Sequence, residues 1–404
     1  MHILYILQYF GTPNGHASLR GYEFARRWAQ EGYEVTVLTT AAALIEDDLA
    51  SAAGRFVKRF SLKGFDVIAL DVRYKQSMSF LRRIVAFVSF VVCASFAILF
   101  VKKVDVVYAT STPLTVGVPA LVAKWFRRKP FVFEVRDRWP AVPIEMGIIK
   151  NKILIKMLLW LERRIYKSAS AIVALSPGMA AGVKDVLGET QKAVATIPNC
   201  SDIELFRPDI DGSAIRRKFR WEDKIVFLHA GAMGKVNGLG FVIDAAQRLK
   251  DKPDVHFVLI GRGSQKQALS DRIKRLGLSN IEVLESRPKR ELPEFVAAAD
   301  VSLAIIGDHP ILEHNSANKF FDALSAGKPV LLNYSGWQRQ ILEENNAGFG
   351  CELCNLDEFV EKVLYFNSHR AELIEMGQNA RQLAEEKFDR AKLAAQALDV
   401  INSI

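Results

Sequence analysis

The sequence predicts an α/β protein of two doubly wound, Rossmann-like domains, and three observations carry that expectation. The chain has 404 residues, more than the roughly 250–300 that one hydrophobic core serves. Short apolar runs alternate with helix-like segments almost throughout, as parallel sheets covered by helices on both faces require. A polar, proline-marked stretch, Pro198-Asn199-Cys200-Ser201-Asp202 continuing to Phe206-Arg207-Pro208, splits the runs into two series and reads as a linker. The expected domains are 1–200 and 201–388. A terminal helix is expected over 389–404, where Leu393, Ala397, Leu398 and Ile401 have helical spacing that suits packing on either domain.

In the first series the expected strands are Ile3–Gln8, Glu34–Thr39, Val67–Asp71, Val104–Tyr108, Phe131–Val135, Ala171–Ala174 and Ala193–Ile197. The first of these is too short for a secretory signal and lacks a basic leader. It runs into Phe10-Gly11-Thr12-Pro13-Asn14-Gly15-His16, a loop at the carboxyl edge of a sheet, where doubly wound domains bind ligands. The spacing is not G-x-G-x-x-G, and the second strand ends in Thr39-Thr40 without the acidic residue that would hold a ribose, which argues against a dinucleotide enzyme. The loop reads either as a plain turn or as a seat near phosphate or sugar, with Gly15 a donor-site candidate and His16 an acceptor-site candidate.

Arg82-Arg83 and Lys102-Lys103 bracket the apolar run Ile84 to Val101. Its length alone would let it span a bilayer. It lies, however, between the strand candidates Asp66–Val72 and Val104–Thr110, where an α/β domain needs a crossover helix, and basic residues at both ends give no positive-inside asymmetry. The expectation is a helix partly buried in its domain and partly dipping into lipid.

The strand Phe131–Val135 leads into Arg136-Asp137-Arg138-Trp139-Pro140. A carboxylate between two arginines stays ionised, and a neighbouring tryptophan can stack on a sugar face or an isoprenoid. Asp137 is therefore a candidate catalytic group, orienting an acceptor hydroxyl or acting as base. Arg136, Arg138 and Trp139 are candidates for holding the acceptor. A salt-bridged loop with a packed tryptophan is the alternative.

In the second series the strands are Ile225–His229, Val255–Ile260, Ile281–Leu284, Val301–Ile305 and Val330–Leu332. The first leads into a loop from Gly231 through Gly234 and Lys235 to Gly238, where glycines let backbone amides approach an anion and Lys235 adds charge; a tight turn is the alternative. Arg262, between Gly261 and Gly263, and Lys289, in Arg287-Pro288-Lys289-Arg290, put further basic groups at the same sheet edge. Asp209-Ile210-Asp211 imitates a metal-holding D-x-D but follows no buried strand, and His309 and His314 lack metal-ligand spacing. No metal and no cofactor are expected, and neither a nucleophile elbow nor a P-loop is present.

Residues His314 to Val330 carry the richest pattern. Asn315, Ser316 and Asn318 open a short amphipathic helix that Gly327 and Pro329 end before the apolar run Val330-Leu331-Leu332. A helix start with free backbone N–H groups, next to Asn318 and Lys319, offers donors for phosphate, and Asp322 offers an acceptor for sugar hydroxyls. The combination suits a nucleotide sugar. Simple capping by Ser316 or Asn318 is the alternative.

Charge is placed unevenly. Residues 1–200 hold 27 Lys+Arg against 15 Asp+Glu, and residues 201–404 hold 27 against 30. The basic excess points to an anionic partner of the first domain. Apolar segments accompany the basic ones and no nucleic-acid module is recognisable, which favours an anionic membrane surface over nucleic acid. The four cysteines make no disulfide framework in so long a chain, which fits a reducing cytoplasm, and Cys351 and Cys354 form a lone C-x-x-C.

With these residues in hand, the chain resembles a family 4 glycosyltransferase of the two-domain GT-B type, nearest to the bacterial subgroup that builds O-antigen, capsule and other exopolysaccharides. The likeness runs through the Gly11–Gly15 opening, Gly32 to Leu38, Arg136 to Pro140, Ile197-Pro198-Asn199 with Asp202 and Phe206, the Gly231–Gly238 loop and His314–Val330. It implies two domains facing each other across a cleft, a nucleotide-diphosphate sugar as donor, retention of anomeric configuration, no metal, and a lipid-linked saccharide as acceptor. Of the family's two acidic donor-site positions, the second falls on Asp322, which implies hydrogen bonds to the ribose. The first falls on His314, implying contact with donor sugar hydroxyls. The family's basic pair in the glycine loop falls near Ala232 and on Asn237, so Lys235, Lys319 and Arg262 are the expected substitutes. The implied enzyme works peripherally on the cytoplasmic face of the plasma membrane. A nucleotide-sugar epimerase of the same fold and a non-enzymatic, membrane-associated binding protein are the rival expectations.

Overall fold

The computed structural model describes residues 1–13, 15, 18–50, 52–72, 78 and 80–404. The chain forms two compact units, Met1–Pro198 with Ala391–Ile404, and Asn199–Arg390.

The first unit runs β1 (His2–Ile6), α1 (Arg20–Gln30), β2 (Glu34–Thr40), α2 (Glu46–Leu49), β3 (Val57–Leu62), β4 (Phe65–Leu70), α3 (Phe80–Ile98), β5 (Val106–Thr110), α4 (Gly117–Arg127), β6 (Phe131–Val135), α5 (Ala141–Glu145), α6 (Lys152–Ser168), β7 (Ala171–Ala174), α7 (Pro177–Leu187) and β8 (Val194–Thr196). Among the described residues its sheet has the order β3-β4-β2-β1-β5-β6-β7-β8. All neighbours are parallel except β3, which pairs antiparallel with β4. The central strands are buried and largely apolar because helices cover both faces. β3 was not expected from the sequence: Lys58 and Arg59 break its apolar pattern, as suits an edge strand that must not recruit another chain.

The apolar run between Arg83 and Lys102 is the crossover helix α3. Ala86, Phe90, Ala94 and Ile98, four residues apart, face the sheet and are buried, whereas Val85, Val88, Val92 and Phe96 are exposed. Among the described residues no helix is long and apolar enough to cross a membrane.

The second unit runs α8 (Ser213–Phe219), β9 (Ile225–Ala230), α9 (Gly240–Arg248), β10 (Val255–Ile260), α10 (Lys266–Leu276), β11 (Ile281–Leu284), α11 (Leu292–Ala298), β12 (Val301–Ala304), α12 (Asn318–Ser325), β13 (Val330–Leu332), α13 (Trp337–Glu344), β14 (Gly348–Phe349), α14 (Leu356–Ser368) and α15 (Glu372–Lys387). Its sheet, β11-β10-β9-β12-β13-β14, is parallel throughout. The order reverses between β9 and β12, the topological switch at which loops part and leave room for a ligand. The last helix, α16 (Arg390–Asn402), lays Leu393, Ala397, Leu398 and Ile401 into the first unit, where the Ala394 carbonyl accepts from Trp28 Nε1 at 3.0 Å.

The stretch read as a linker is not a solvated loop but part of the second unit. The Asn199 amide donates to Ser316 Oγ at 3.0 Å, Ser201 Oγ donates to the Phe321 carbonyl at 3.1 Å, and Asp202 pairs with Arg390 at 2.6 Å, both nearly buried. The Ser201 amide also donates to the Phe388 carbonyl at 2.8 Å.

One buried ionic cluster ties the first unit together. Glu134 in β6 is fully buried and accepts from Arg20 Nε at 3.0 Å and Nη2 at 2.8 Å, from the Tyr108 hydroxyl at 2.8 Å and from Thr110 Oγ1 at 2.5 Å. Arg20 continues to the carbonyls of Ile197, at 3.1 Å, and Pro198, at 2.5 Å. Burial alone would lift the Glu134 carboxyl, but Arg20, Arg136 and the hydrogen bonds outweigh it and hold the group below its ordinary range. Glu134→Gln keeps the shape and strands the guanidinium without a counter-charge, at an expected cost of about 3–5 kcal/mol in urea unfolding. The double variant Arg20→Met/Glu134→Leu should recover most of that loss; an unchanged urea midpoint for Glu134→Gln would contradict the account.

Candidate functional site

In the second unit the switch between β9 and β12 gathers the groups that the sequence singled out. The loop after β9 is fixed by its neighbours: the Gly231 amide donates to the Ile260 carbonyl, the Met233 amide to Arg262, and the Gln265 amide to Met233, each at 2.9 Å, while the Gly307 amide donates to Val236 at 2.8 Å. Only glycine fits at 261, where a Cβ would lie 1.8 Å from the Gly231 carbonyl oxygen. Gly234 and Lys235 lie on this loop, with Lys235 exposed, and Arg262 is exposed on the adjoining loop after β10.

Helix α12 opens at Asn318 without a side-chain cap. Ser316 does not cap it, because its hydroxyl receives the Asn199 amide. The Phe320 amide turns back to the Ala317 carbonyl at 3.1 Å, and no side chain caps the start of the helix, where Asn318 is exposed. Lys319, on the same turn, is part-buried and donates to Asn237 Oδ1 at 2.9 Å. Burial pushes its ammonium down to about 8. One turn on, Asp322 is paired with Lys289, whose ammonium also lies 4.6 Å over the Phe206 ring. Burial raises the Asp322 carboxyl, and Lys289 opposes that shift. Lys289 thus serves as counter-ion to Asp322 and is not free for phosphate. His314, part-buried, ends a 3-10 turn from Pro310 that leads towards α12.

The first unit assembles a second group at the loop after β6. The Arg136 amide donates to Ser111 Oγ at 3.0 Å, and Asp137 Oδ2 accepts from Thr112 Oγ1 at 2.5 Å. Burial raises the Asp137 carboxyl, with the Thr112 hydrogen bond and Arg136 opposing. The Arg138 guanidinium lies on α7, where a Cβ on Gly182 would come within 2.5 Å of its Nε. Trp139 is partly buried against the core, so only part of its ring is open to a ligand. The Gly15 amide closes a turn on the Thr12 carbonyl at 2.9 Å. His16 lies outside the described residues.

Three partners escaped the sequence reading. Thr112 follows β5 at the first sheet's own switch point, a position that marks it. Asn237 was legible as a loop residue but not as the acceptor for Lys319. His229 sits under the same loop, at the end of an apolar strand that gave it no separate signal. The C-x-x-C pair holds no obvious chemistry: burial pushes the Cys351 and Cys354 thiols up to about 12 and 11, and Cys351 Sγ donates to the Leu332 carbonyl.

Comparison with known proteins places this geometry. Residues 19–200 match the glycosyl transferase 4-like domain and residues 211–383 match the glycosyl transferases of group 1. The probable glycosyltransferase WbjE of Pseudomonas aeruginosa is 23% identical over 277 residues, 63% of this chain and 68% of that protein. The putative colanic acid biosynthesis glycosyl transferase WcaI of Escherichia coli K12 is 26% identical over 219 residues, and the match spans only 53% of either chain. Among solved structures, Anabaena HepE in complex with UDP-glucose superposes with a TM-score of 0.74 at 21% identity, covering all of both chains, and so shares the fold. With both units matched in order by the two halves of one family, the chain belongs to the family 4 glycosyltransferases of the GT-B type and is an enzyme of glycosyl transfer.

Proposed function

We propose that this glycosyltransferase moves a sugar from a nucleoside-diphosphate sugar, bound by the second unit, to a lipid-linked saccharide presented to the first unit at an anionic membrane surface. The observation that carries the donor side is Lys319. It is a part-buried cation at an uncapped helix start beside a glycine loop, and among the described residues it pairs with no carboxylate. A diphosphate supplies the missing counter-charge. Gly234, Lys235, Arg262 and Asn318 line the same edge, Asp322 accepts from the ribose, and His314 meets the sugar hydroxyls. The UDP-glucose complex of HepE supports this class of donor.

In the reaction the bond between the sugar's anomeric carbon and the phosphate oxygen breaks, and an acceptor oxygen forms the new bond. The acceptor proton passes to the departing diphosphate, which leaves on the face where the acceptor enters and so retains configuration, as the family resemblance implies. Positive groups already in place around the diphosphate stabilise the charge that develops there, with no metal ion required. Arg136, Asp137, Arg138, Trp139 and His16 are the acceptor-side candidates, Gly15 remains a donor-side one, and Asp137 orients the attacking hydroxyl. The colanic acid assignment of WcaI supports a role in surface polysaccharide synthesis.

The membrane surface is proposed from three helices together. α3 packs on α4 and α4 on α6; Arg127 Nη1 ties α4 to the Ile98 carbonyl at 2.8 Å, and the Arg164 guanidinium lies 5.3 Å over the Trp125 ring. Phe96 (65% exposed), Phe126 (74%), Ile153 (72%) and Trp160 (66%) project from this face with Phe100 and Trp125. Lys102, Lys103, Arg128, Lys152, Lys156, Arg163 and Arg164 are exposed around them. The sole carboxylate on the three helices, Glu162, is buried, and burial pushes it up to about 7. An apolar face rimmed by one sign of charge fits the cytoplasmic leaflet's anionic lipids.

Two measurements test the reading. Donor affinity, followed by thermal shift with UDP-, GDP- and dTDP-sugars, should fall as pH rises through about 8, because Lys319 loses its charge there. Over the same window, up to the ordinary lysine value, the unliganded protein should gain stability relative to Lys319→Met, since a depressed lysine binds fewer protons when folded than unfolded. Lys319→Met should lose at least about tenfold in affinity; a flat pH profile together with unchanged affinity in the variant would sink the donor site. Replacing Phe96, Phe126, Ile153 and Trp160 by Ser should abolish sedimentation with anionic vesicles while leaving donor affinity intact. Equal binding of parent and variant would remove the surface from consideration.

A further inference from the structure

Lys319 is held by an unusual set of neighbours. A Cβ added to Gly231 would lie 3.0 Å from Lys319 Cε, 3.5 Å from Lys319 Nζ and 3.5 Å from His229 Nε2. Lysine, imidazole and glycine loop therefore converge at one point above the end of β9, and glycine at 231 leaves them room. The His229 ring is fully buried, and neither ring nitrogen makes a hydrogen bond of ordinary geometry, although the backbone of Ala232 and Leu303 faces it. Burial and the nearby ammonium keep the ring neutral. A buried imidazole held only by such weak backbone contacts adds little to stability, and an apolar side chain of similar shape would fit in its place. The rest of β9 is Ile225, Val226, Phe227, Leu228 and Ala230, all apolar, so the strand itself has no need of a polar group there.

Asn237 provides the other side of the seat. Its amide donates to the Gly234 carbonyl at 3.0 Å, and the next residue, Gly238, has a φ of +53° and packs so closely on the Ile306 carbonyl that a Cβ would come within 2.6 Å. Asn237 Oδ1 is thus fixed where it meets Lys319 Nζ. Both neighbours of the ammonium are neutral. Other basic groups of this unit are cancelled locally: Lys289 by Asp322, Lys266 by Glu285, Arg272 by Asp244 and Arg216 by Asp300. A carboxylate at 237 would do the same to Lys319.

We propose that His229 and Asn237 are positioning residues that seat the Lys319 ammonium over the glycine loop, so that a cation delivered from α12 faces the donor's diphosphate there. The seat rests on the donor-site reading above and adds to it the residues that aim the charge without neutralising it. Nucleoside-diphosphate sugars differ in sugar but share the diphosphate, so the seat's effect is common to every donor of that class and separate from sugar choice.

The test uses UDP, GDP and dTDP as probes, with the full chain, by calorimetric titration and thermal unfolding. His229→Phe should unfold at an equal or higher temperature than the parent, yet bind the diphosphate to which the parent responds about tenfold more weakly. The alkaline limb of its binding profile should move to lower pH, because Lys319 loses a polar neighbour. Asn237→Asp should weaken binding comparably at an unchanged unfolding temperature. Placing the cation on the loop, in Lys319→Met/Asn237→Lys, should restore part of the affinity lost by Lys319→Met. If Lys319→Met loses affinity while His229→Phe and Asn237→Asp remain within about twofold of the parent, the seat is overturned and the donor site stands. If Lys319→Met itself binds normally, the donor site falls and the seat with it. Should His229→Phe not fold, Asn237→Asp and the relocated cation decide the matter.

Discussion

A parallel sheet covered on both faces cannot carry polar chemistry along its strands, and this constraint shapes the molecule. The strands β1, β5, β6, β9, β10 and β12 are almost wholly buried, so their polar business is pushed to the loops beyond their carboxyl ends. The switch between β9 and β12 is where such loops diverge, and there the glycine loop, the start of α12 and Asp322 meet. The first unit has its own switch between β1 and β5, and Thr112 and Asp137 lie at that edge. Where a charge does intrude on a strand, as Glu134 does in β6, it is matched by Arg20 and two further donors and serves structure.

The basic residues accordingly divide by how they are answered. Arg20 is fully paired inside the core, Lys289 is paired at the rim of the site, and Lys319 donates to a neutral amide oxygen and, among the described residues, pairs with no carboxylate. The basic groups of α4 and α6 stand around an apolar surface with no exposed carboxylate on their own helices. Pairing, more than position in the sequence, separates a cation that holds the fold from one that awaits an anion.

Much of this was legible in the chain. Apolar runs announced the central strands, and the alternation with helices announced the class. Gly231 to Gly238 and Asn318 to Asp322 stood out because glycines, a lysine and a carboxylate crowded the ends of such runs. Other features were not legible, for physical reasons. β3 is an edge strand whose lysine and arginine hide its period, and β14 has too few residues to show one. Lys289 looked like a phosphate ligand, since a sequence does not reveal that Asp322 lies within reach of it. Ser316 looked like a cap because its long-range partner, Asn199, is 117 residues away. The apolar surface of α6 was overlooked because Ile153, Met157 and Trp160 are spaced like a buried stripe. Whether such a stripe faces core or solvent depends on what the fold sets against it.

The way Asn199, Ser201 and Asp202 are built into the second unit also fixes what counts as a self-contained piece of this enzyme. Their partners are Ser316, Phe321 and Arg390, on or near the helix that opens the donor site and at the far end of the unit's own sequence. A fragment begun after Pro208, where the prolines suggest a natural cut, would strip α12 and the turn before it of two tethers and leave Arg390 without its carboxylate. An autonomous donor-binding module has to start by Asn199 and run through Arg390, and the few residues that look like connecting tissue are among the last that such a module could spare.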